Sequence, residues 1–280
     1  MTPRPPFVAQ LTRRWDDADT LLCVGLDPDP ARLPAGLTGP DGLLEFCIAI
    51  VDATADLVCA FKPQIAYFAA LAAEAQLTRL IEHIHRQHPG VPVILDAKRG
   101  DIGDTARRYA VEAFERYDAD AVTVNPYLGR ESVEPFLAYA DRGVFLLCRT
   151  SNPDSAWLQD YPADAPAFLR VAEAARRWDR HGNLMLVAGA TYADDLRRIR
   201  EIAGPVPLLV PGIGAQGGDL AEVLAVGLDD RGHGLVINAA RSVLYADAGA
   251  AFADAARTSA RDLRDAIRSG RDRLRTGVGS

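Results

Sequence analysis

Eight short apolar runs, each followed by a stretch with apolar residues at helical spacing, divide this chain of 280 residues. The runs begin at Leu21, Val58, Val93, Ala121, Val144, Leu184, Leu208 and Gly234. They are continuous rather than alternating, which is the pattern of strands buried on both faces. Two architectures accept eight such units, a closed eight-stranded β/α barrel and a doubly wound open sheet. A span of about 250 residues suits the barrel. With no composition shift or long linker, the expectation is a single (β/α)8 barrel domain over residues 1–280. A lead-in over residues 1–20 precedes it, with a helix from Phe7 to Trp15. One long alanine- and leucine-rich helix is expected over residues 67–87, a helix from Thr105 to Arg116, and a loop over 152–165 with an exposed Trp157. The last helix is expected from Ala248 to Arg268, with a polar, frayed tail from Ser269.

Composition narrows the function classes. Apolar residues make up 49% and charged residues 25%, as in ordinary globular proteins. A net charge of -7 argues against nucleic acid as the main partner. It leaves room for a small anionic ligand held by local positive groups. No apolar run reaches membrane-spanning length, and Met1 to Pro6 carry no secretion signal. The four cysteines, Cys23, Cys47, Cys59 and Cys148, lie in or beside apolar runs and form no C-x-x-C. They read as buried reduced thiols, which fits a cytoplasmic location.

The polar residues have a register. Asp27, Lys62, Asp96, Lys98, Asn125, Thr150, Ser151, Gln216 and Arg241 all fall at or just past the C-terminal end of a run. In a barrel those ends make one rim, the rim that carries active sites. Asp96 and Lys98, two apart on a strand, share a face. Asp101 and Thr105, four apart, share one if a helix begins there. Flanking carboxylates would hold the Lys98 ammonium charged at neutral pH, making it a proton donor and not a nucleophile. An isolated D-x-K is more often a structural salt bridge than a catalytic pair; the shared rim is what assigns this one chemistry. Further on, Pro211-Gly212-Ile213-Gly214-Ala215-Gln216-Gly217-Gly218-Asp219 runs into a helix, and Arg241 follows the eighth run. Glycine-rich turns, helix N-termini and arginine forks suit phosphate, and barrels often bind it at this place. His83, His85 and His88 stand at i, i+2 and i+5, poor spacing for one metal, and read as a solvated helix face. No metal site is expected.

Together these motifs resemble the orotidine 5'-phosphate decarboxylase family. The resemblance rests on Asp96-x-Lys98-x-x-Asp101-Ile102-x-x-Thr105, Phe61-Lys62-Pro63, Thr150-Ser151-Asn152-Pro153, the loop from Pro211 to Asp219 and Asn238-Ala239-Ala240-Arg241. It spans residues 21–245, and the Thr-Ser-Asn-Pro turn is similar to that of the subfamily found in mycobacteria and related bacteria. The resemblance implies a cofactor-free homodimer that makes uridine 5'-phosphate and carbon dioxide from orotidine 5'-phosphate, the last step of pyrimidine synthesis. Carried over by motif, Lys62, Asp96, Lys98 and Asp101 form a charged catalytic network. Asp101, Ile102 and Thr105 would enter the partner subunit's site. Asp27 would contact the ribose, Ser151 and Gln216 the pyrimidine, and Gln216 and Arg241 the phosphate, with Pro211 also lining the substrate site. Arg149 stands where lysine is expected, and Ala240 where glycine or serine is common.

Two other readings use the same residues. A magnesium-dependent sugar-phosphate decarboxylase or aldolase shares D-x-K-x-x-D, but Lys62 stands where a metal site would want a carboxylate. A non-catalytic phosphate sensor on the same fold would carry buried charges at a cost in stability without a task.

Overall fold

Parallel strands form where the eight apolar runs lie. The computed structural model describes residues 4–213 and 219–276. Its strands are β1 (Leu22–Leu26), β2 (Ala60–Pro63), β3 (Ile94–Arg99), β4 (Ala121–Val124), β5 (Gly143–Arg149), β6 (Leu184–Ala188), β7 (Leu208–Pro211) and β8 (Leu235–Ala239). They lie in one sheet ordered β2-β1-β8-β7-β6-β5-β4-β3. Backbone pairings Phe61 with Val93 and Gln64 with Asp96 bring the two ends of that order together. The sheet thus curls into the (β/α)8 barrel and not into an open sheet, with its last seam beside Asp96. β1, β6 and β8 are buried along their whole length. β3 is buried only over its first half and emerges at Ala97.

The surrounding helices are α1 (Phe7–Asp17), α2 (Gly39–Thr54), α3 (Ile65–Ala69), α4 (Glu74–Gln87), α5 (Gly103–Val111), α6 (Glu134–Leu137), α7 (Ala156–Gln159), α8 (Ala167–Trp178), α9 (Ala193–Ala203), α10 (Leu220–Gly227), α11 (Arg241–Leu244) and α12 (Phe252–Thr276). The lead-in helix α1 lies against the base of the barrel. Phe7 meets Phe145 edge-on at 5.7 Å, and its backbone N–H donates to Asp141 O.

Three segments depart from the sequence reading. The expected helix over 67–87 is two helices. Ala72 turns left-handed at φ 51°, and the Ala73 N–H reaches back to Phe68 O at 2.9 Å, a helix-ending turn normally marked by glycine. The turn buries Phe68 and Ala73 and re-aims α4, so that Leu77, Leu80, Ile81 and Ile84 face the barrel. Burial of those side chains overrides the helix propensity of Ala69 to Ala73. The 152–165 segment is not simply a loop, since it holds a 3-10 turn and α7. The third departure is the C-terminus: α12 does not fray at Ser269 but runs to Thr276. Gly270 packs so closely on α10 that a Cβ there would lie 2.5 Å from Leu224 Cδ1. Arg271 is buried and ion-paired with Asp19, which also meets Arg268 Nε at 2.6 Å. Tertiary partners, not local sequence, extend the helix.

Arg271→Ala removes a buried cation and its packing. It should lower unfolding free energy in urea by roughly 1–3 kcal/mol. A frayed tail would leave the midpoint unchanged.

Candidate active site

The site is built around an irregularity in β3. Leu95 is in register with Val122, but Arg99 is in register with Val124. β3 therefore advances four residues while β4 advances two. A bulge of this kind re-aims side chains and leaves backbone donors without ladder partners. Lys98 lies in the bulge with φ 46°, a left-handed conformation unusual for a residue with a side chain. The freed N–H groups of Ala97 and Lys98 both donate to Thr123 Oγ1, at 3.0 and 2.9 Å. The Thr123 hydroxyl in turn donates to Asp96 Oδ1 at 2.9 Å. Lys98 Nζ donates to that same Oδ1 at 2.7 Å, and Lys62 Nζ donates to Oδ2 at 2.8 Å. Asp96 and Lys98 do converge, but through the bulge and not through simple strand alternation.

Burial separates the two lysines. Lys62 is 4% exposed and Asp96 6%, whereas the Lys98 side chain is 47% exposed. Lys62 and Asp96 form the fixed base of the array, and Lys98 presents its ammonium to the rim. Burial alone would raise the Asp96 carboxyl, but Lys62 and Lys98 outweigh it and hold the pKa well below the usual carboxylate range. Burial alone would lower the Lys62 ammonium, but Asp96 and Asp27 outweigh it and push it up. Both groups are therefore ionised across the neutral range.

The other rim residues surround this array. Asp27 follows β1, and its Oδ1 is buried without a partner among the described residues. Burial raises its pKa, Asp96 adds to that, and Lys62, Lys98 and Arg241 oppose it. Asn238 Oδ1, on β8, likewise has no partner among the described residues. Pro211, at the end of β7, is in register with Asn238. Arg241 opens α11 and is exposed, with no ion pair among the described residues. Ser151 lies in the turn after β5, tucked so closely over β6 that a Cβ on Gly189 would lie 2.9 Å from Ser151 N. Gln216 lies outside the described residues. Asn125 caps its own loop by accepting from Tyr127 N at 3.0 Å. Asp101 does not join the charged array within the chain. Its Oδ1 accepts only from the adjacent Ile102 N–H among the described residues, and Ile102 and Thr105 are exposed beside it.

A family model described as "Orotidine 5'-phosphate decarboxylase / HUMPS family" matches residues 20–256. The chain belongs to this family. It is 61% identical over 246 residues to the orotidine 5'-phosphate decarboxylase of Azoarcus sp. strain BH72, covering 87% of this chain and 91% of that one. It is 61% identical over 243 residues to that of Dechloromonas aromatica, covering 86% and 90%. Among solved structures, the OMP decarboxylase of Leishmania donovani superposes with a TM-score of 0.83 at 37% identity, covering 95% of this chain and 98% of that one.

Sequence reasoning missed one residue of this family member and, for a second that it had singled out, missed the role. Thr123 is the first, a polar side chain only 1% exposed within an otherwise apolar strand. Its signal was that interruption of the run. Arg149 is the second. It is 1% exposed, with Nε on Asp195 at 2.9 Å, Nη1 on Ser155 Oγ at 3.0 Å and on Gln159 Oε1 at 3.2 Å, and Nη2 on Asp160 at 3.1 Å. Its guanidinium also lies 4.3 Å from the Tyr192 ring. Gln159 then binds Thr150 twice, accepting from its N–H and donating to its hydroxyl, each at 2.9 Å. Four directed contacts from one cation need a planar fork, which lysine lacks. Arginine at this position therefore ties the Thr150-Ser151 turn to α7 and α9.

Two measurements test this architecture. Thr123→Val leaves the Ala97 and Lys98 N–H groups without their acceptor, and should cost roughly 1–3 kcal/mol in chemical denaturation. Lys62→Met leaves Asp96 buried with one cation fewer, and should cost about 3–5 kcal/mol at pH 7. Its effect on pH dependence has a definite sign. A depressed carboxyl contributes stability above its unfolded pKa of about 4, and that stability is lost as pH falls through the folded value. The raised Lys62 contributes below about pH 10.4 and is lost as pH rises through its folded value. In Lys62→Met the Asp96 carboxyl is less depressed, so the fall in stability between about pH 5 and pH 2 becomes shallower.

Proposed function

We propose that the chain decarboxylates orotidine 5'-phosphate to uridine 5'-phosphate and carbon dioxide, the last step of UMP synthesis, without a cofactor. The observation that carries this reading is the Lys98 ammonium, fixed on buried Asp96 and open to the rim. Breaking the bond between C6 and the carboxylate releases carbon dioxide and leaves an electron pair in an sp2 orbital on C6. The ring offers that pair little resonance. A preset positive charge aimed at C6 stabilises it as it forms. Lys98 then gives C6 a proton and regains one from solvent. Asp96 holds the ammonium in place through their 2.7 Å contact, and Lys62 neutralises Asp96 from behind.

The remaining rim residues suit the rest of the nucleotide. Asp27 Oδ1, without a partner among the described residues, fits a ribose hydroxyl, and Ser151 and Gln216 fit the pyrimidine. Gln216 and Arg241 fit the phosphate, with Pro211 lining the pocket beside them. Binding energy from the phosphate, remote from C6, would orient the ring over Lys98. The absence of Asp101 from the array of its own chain, with Ile102 exposed at 49%, supports a homodimer in which Asp101, Ile102 and Thr105 complete the neighbouring site. A cytoplasmic location fits four free, buried cysteines. Among the described residues, no helix is long and apolar enough to cross a membrane.

Lys98→Ala should lose nearly all carbon dioxide release from orotidine 5'-phosphate while still binding uridine 5'-phosphate. Substantial turnover by that variant would overturn the donor assignment. Sharing of sites has its own test. Mixing inactive Lys98→Ala and Asp101→Ala subunits, with exchange, should restore about a quarter of wild-type activity, because half the dimers carry one intact site of two. No recovery would place Asp101 outside the partner's site.

A further inference from the structure

At the base of the barrel, opposite the rim, the three histidines of α4 part company. His85 turns to Asp120, its Nε2 lying 2.9 Å from Asp120 Oδ2. His83 and His88 turn the other way, across to α2. His83 Nε2 lies 2.7 Å from Asp52 Oδ1, and His88 Nε2 lies 2.6 Å from the same oxygen. Helical spacing alone would hold His83 and His88 apart. They meet because His88 is the residue that ends α4, with φ -126° and ψ 60°, and swings its ring back beside the last turn. The two rings are 6.0 Å apart and inclined at 63°, so they converge edgewise on the carboxylate without stacking.

From this geometry we infer that Asp52, His83 and His88 form a binding site for a divalent transition-metal ion of the zinc type. The three ligand atoms, two imidazole nitrogens and one carboxylate oxygen, lie within 4.8 Å of one another. Imidazole with carboxylate is the donor set of zinc and its neighbours, whereas magnesium and calcium take oxygen alone. The intervening four residues fall in the H-x3–5-H range of zinc ligand pairs. Both imidazoles use the same nitrogen, and both aim it at one point. An ion there satisfies two nitrogen lone pairs and the carboxylate together, with water completing the shell. The hydrogen-bond separations must widen to admit it. The exposed Asp52 side chain can swing outward to allow this, being held by no other hydrogen bond among the described residues.

The location fixes the role. Asp52 lies near the end of α2 and His88 ends α4, and both helices run back to the N-terminal ends of the strands. That is the stability face of a barrel and not the catalytic one. The ion would cross-link two neighbouring outer helices.

Calorimetric titration of the full chain with zinc chloride, after chelator treatment, tests this. One equivalent should bind and raise the melting temperature by several degrees. His83→Gln, His88→Gln and Asp52→Asn should each weaken binding by about tenfold or more, and His181→Gln should not. Cobalt(II) in place of zinc should give ligand-field bands that the His83→Gln/His88→Gln double variant lacks. Equal zinc binding by the wild type and the double variant, or no binding by the wild type, would overturn the assignment.

Discussion

The buried carboxylate of Asp96 is the contact on which the site depends. It takes an ammonium on each oxygen, Lys62 on one and Lys98 on the other. An isolated charge at that depth would be prohibitive, and a neutral pair would do no electrostatic work. Three charges in a row, with Thr123 hydrogen-bonded to the middle one, meet both demands. The cost is carried by the strand itself. β3 gives up regular pairing and places Lys98 in a left-handed conformation. Such strain persists only where the surroundings over-determine it, and here two N–H bonds to one buried hydroxyl do so.

The barrel makes that arrangement possible by closing where it does. The seam between β2 and β3 is the weakest pairing in the sheet, two isolated bridges, and one of them involves Asp96 itself. Lys62 reaches across this seam from β2. The ion pair therefore also links the two strands whose backbones pair least. Elsewhere the rim is held by longer-range devices. Arg149 ties the Thr150-Ser151 turn to two helices, and the Tyr245 hydroxyl donates to Asp27 O from beyond the eighth strand.

Much of this was legible in the chain. Eight buried runs and their total length favour a barrel, and the polar residues at the run ends mark one candidate rim, because periodicity and strand-end position are local properties. The D-x-K-x-x-D motif, with Lys62 before it, was legible as a candidate charged array because its position at the strand ends could be read from the same pattern. What stayed hidden depended on contacts distant in sequence. Ala72 ends a helix although alanine favours helices, because Phe68 and Ala73 are buried there. Arg271 extends α12 because Asp19 waits for it.

The sequence by itself pointed to the fold class, through the strand pattern and its length, to the family, through the resemblance of its motifs, and to the candidate charged residues, since all of these are read along the chain. Only the tertiary structure decided how the charges meet. The bulge that re-aims Lys98, the Thr123 hydroxyl beneath it, the separation of Asp101 from its own array and the meeting of His83 with His88 on Asp52 all depend on neighbouring elements. No spacing rule encodes them, because each is a balance between local backbone preference and the burial or pairing that a neighbouring strand or helix supplies.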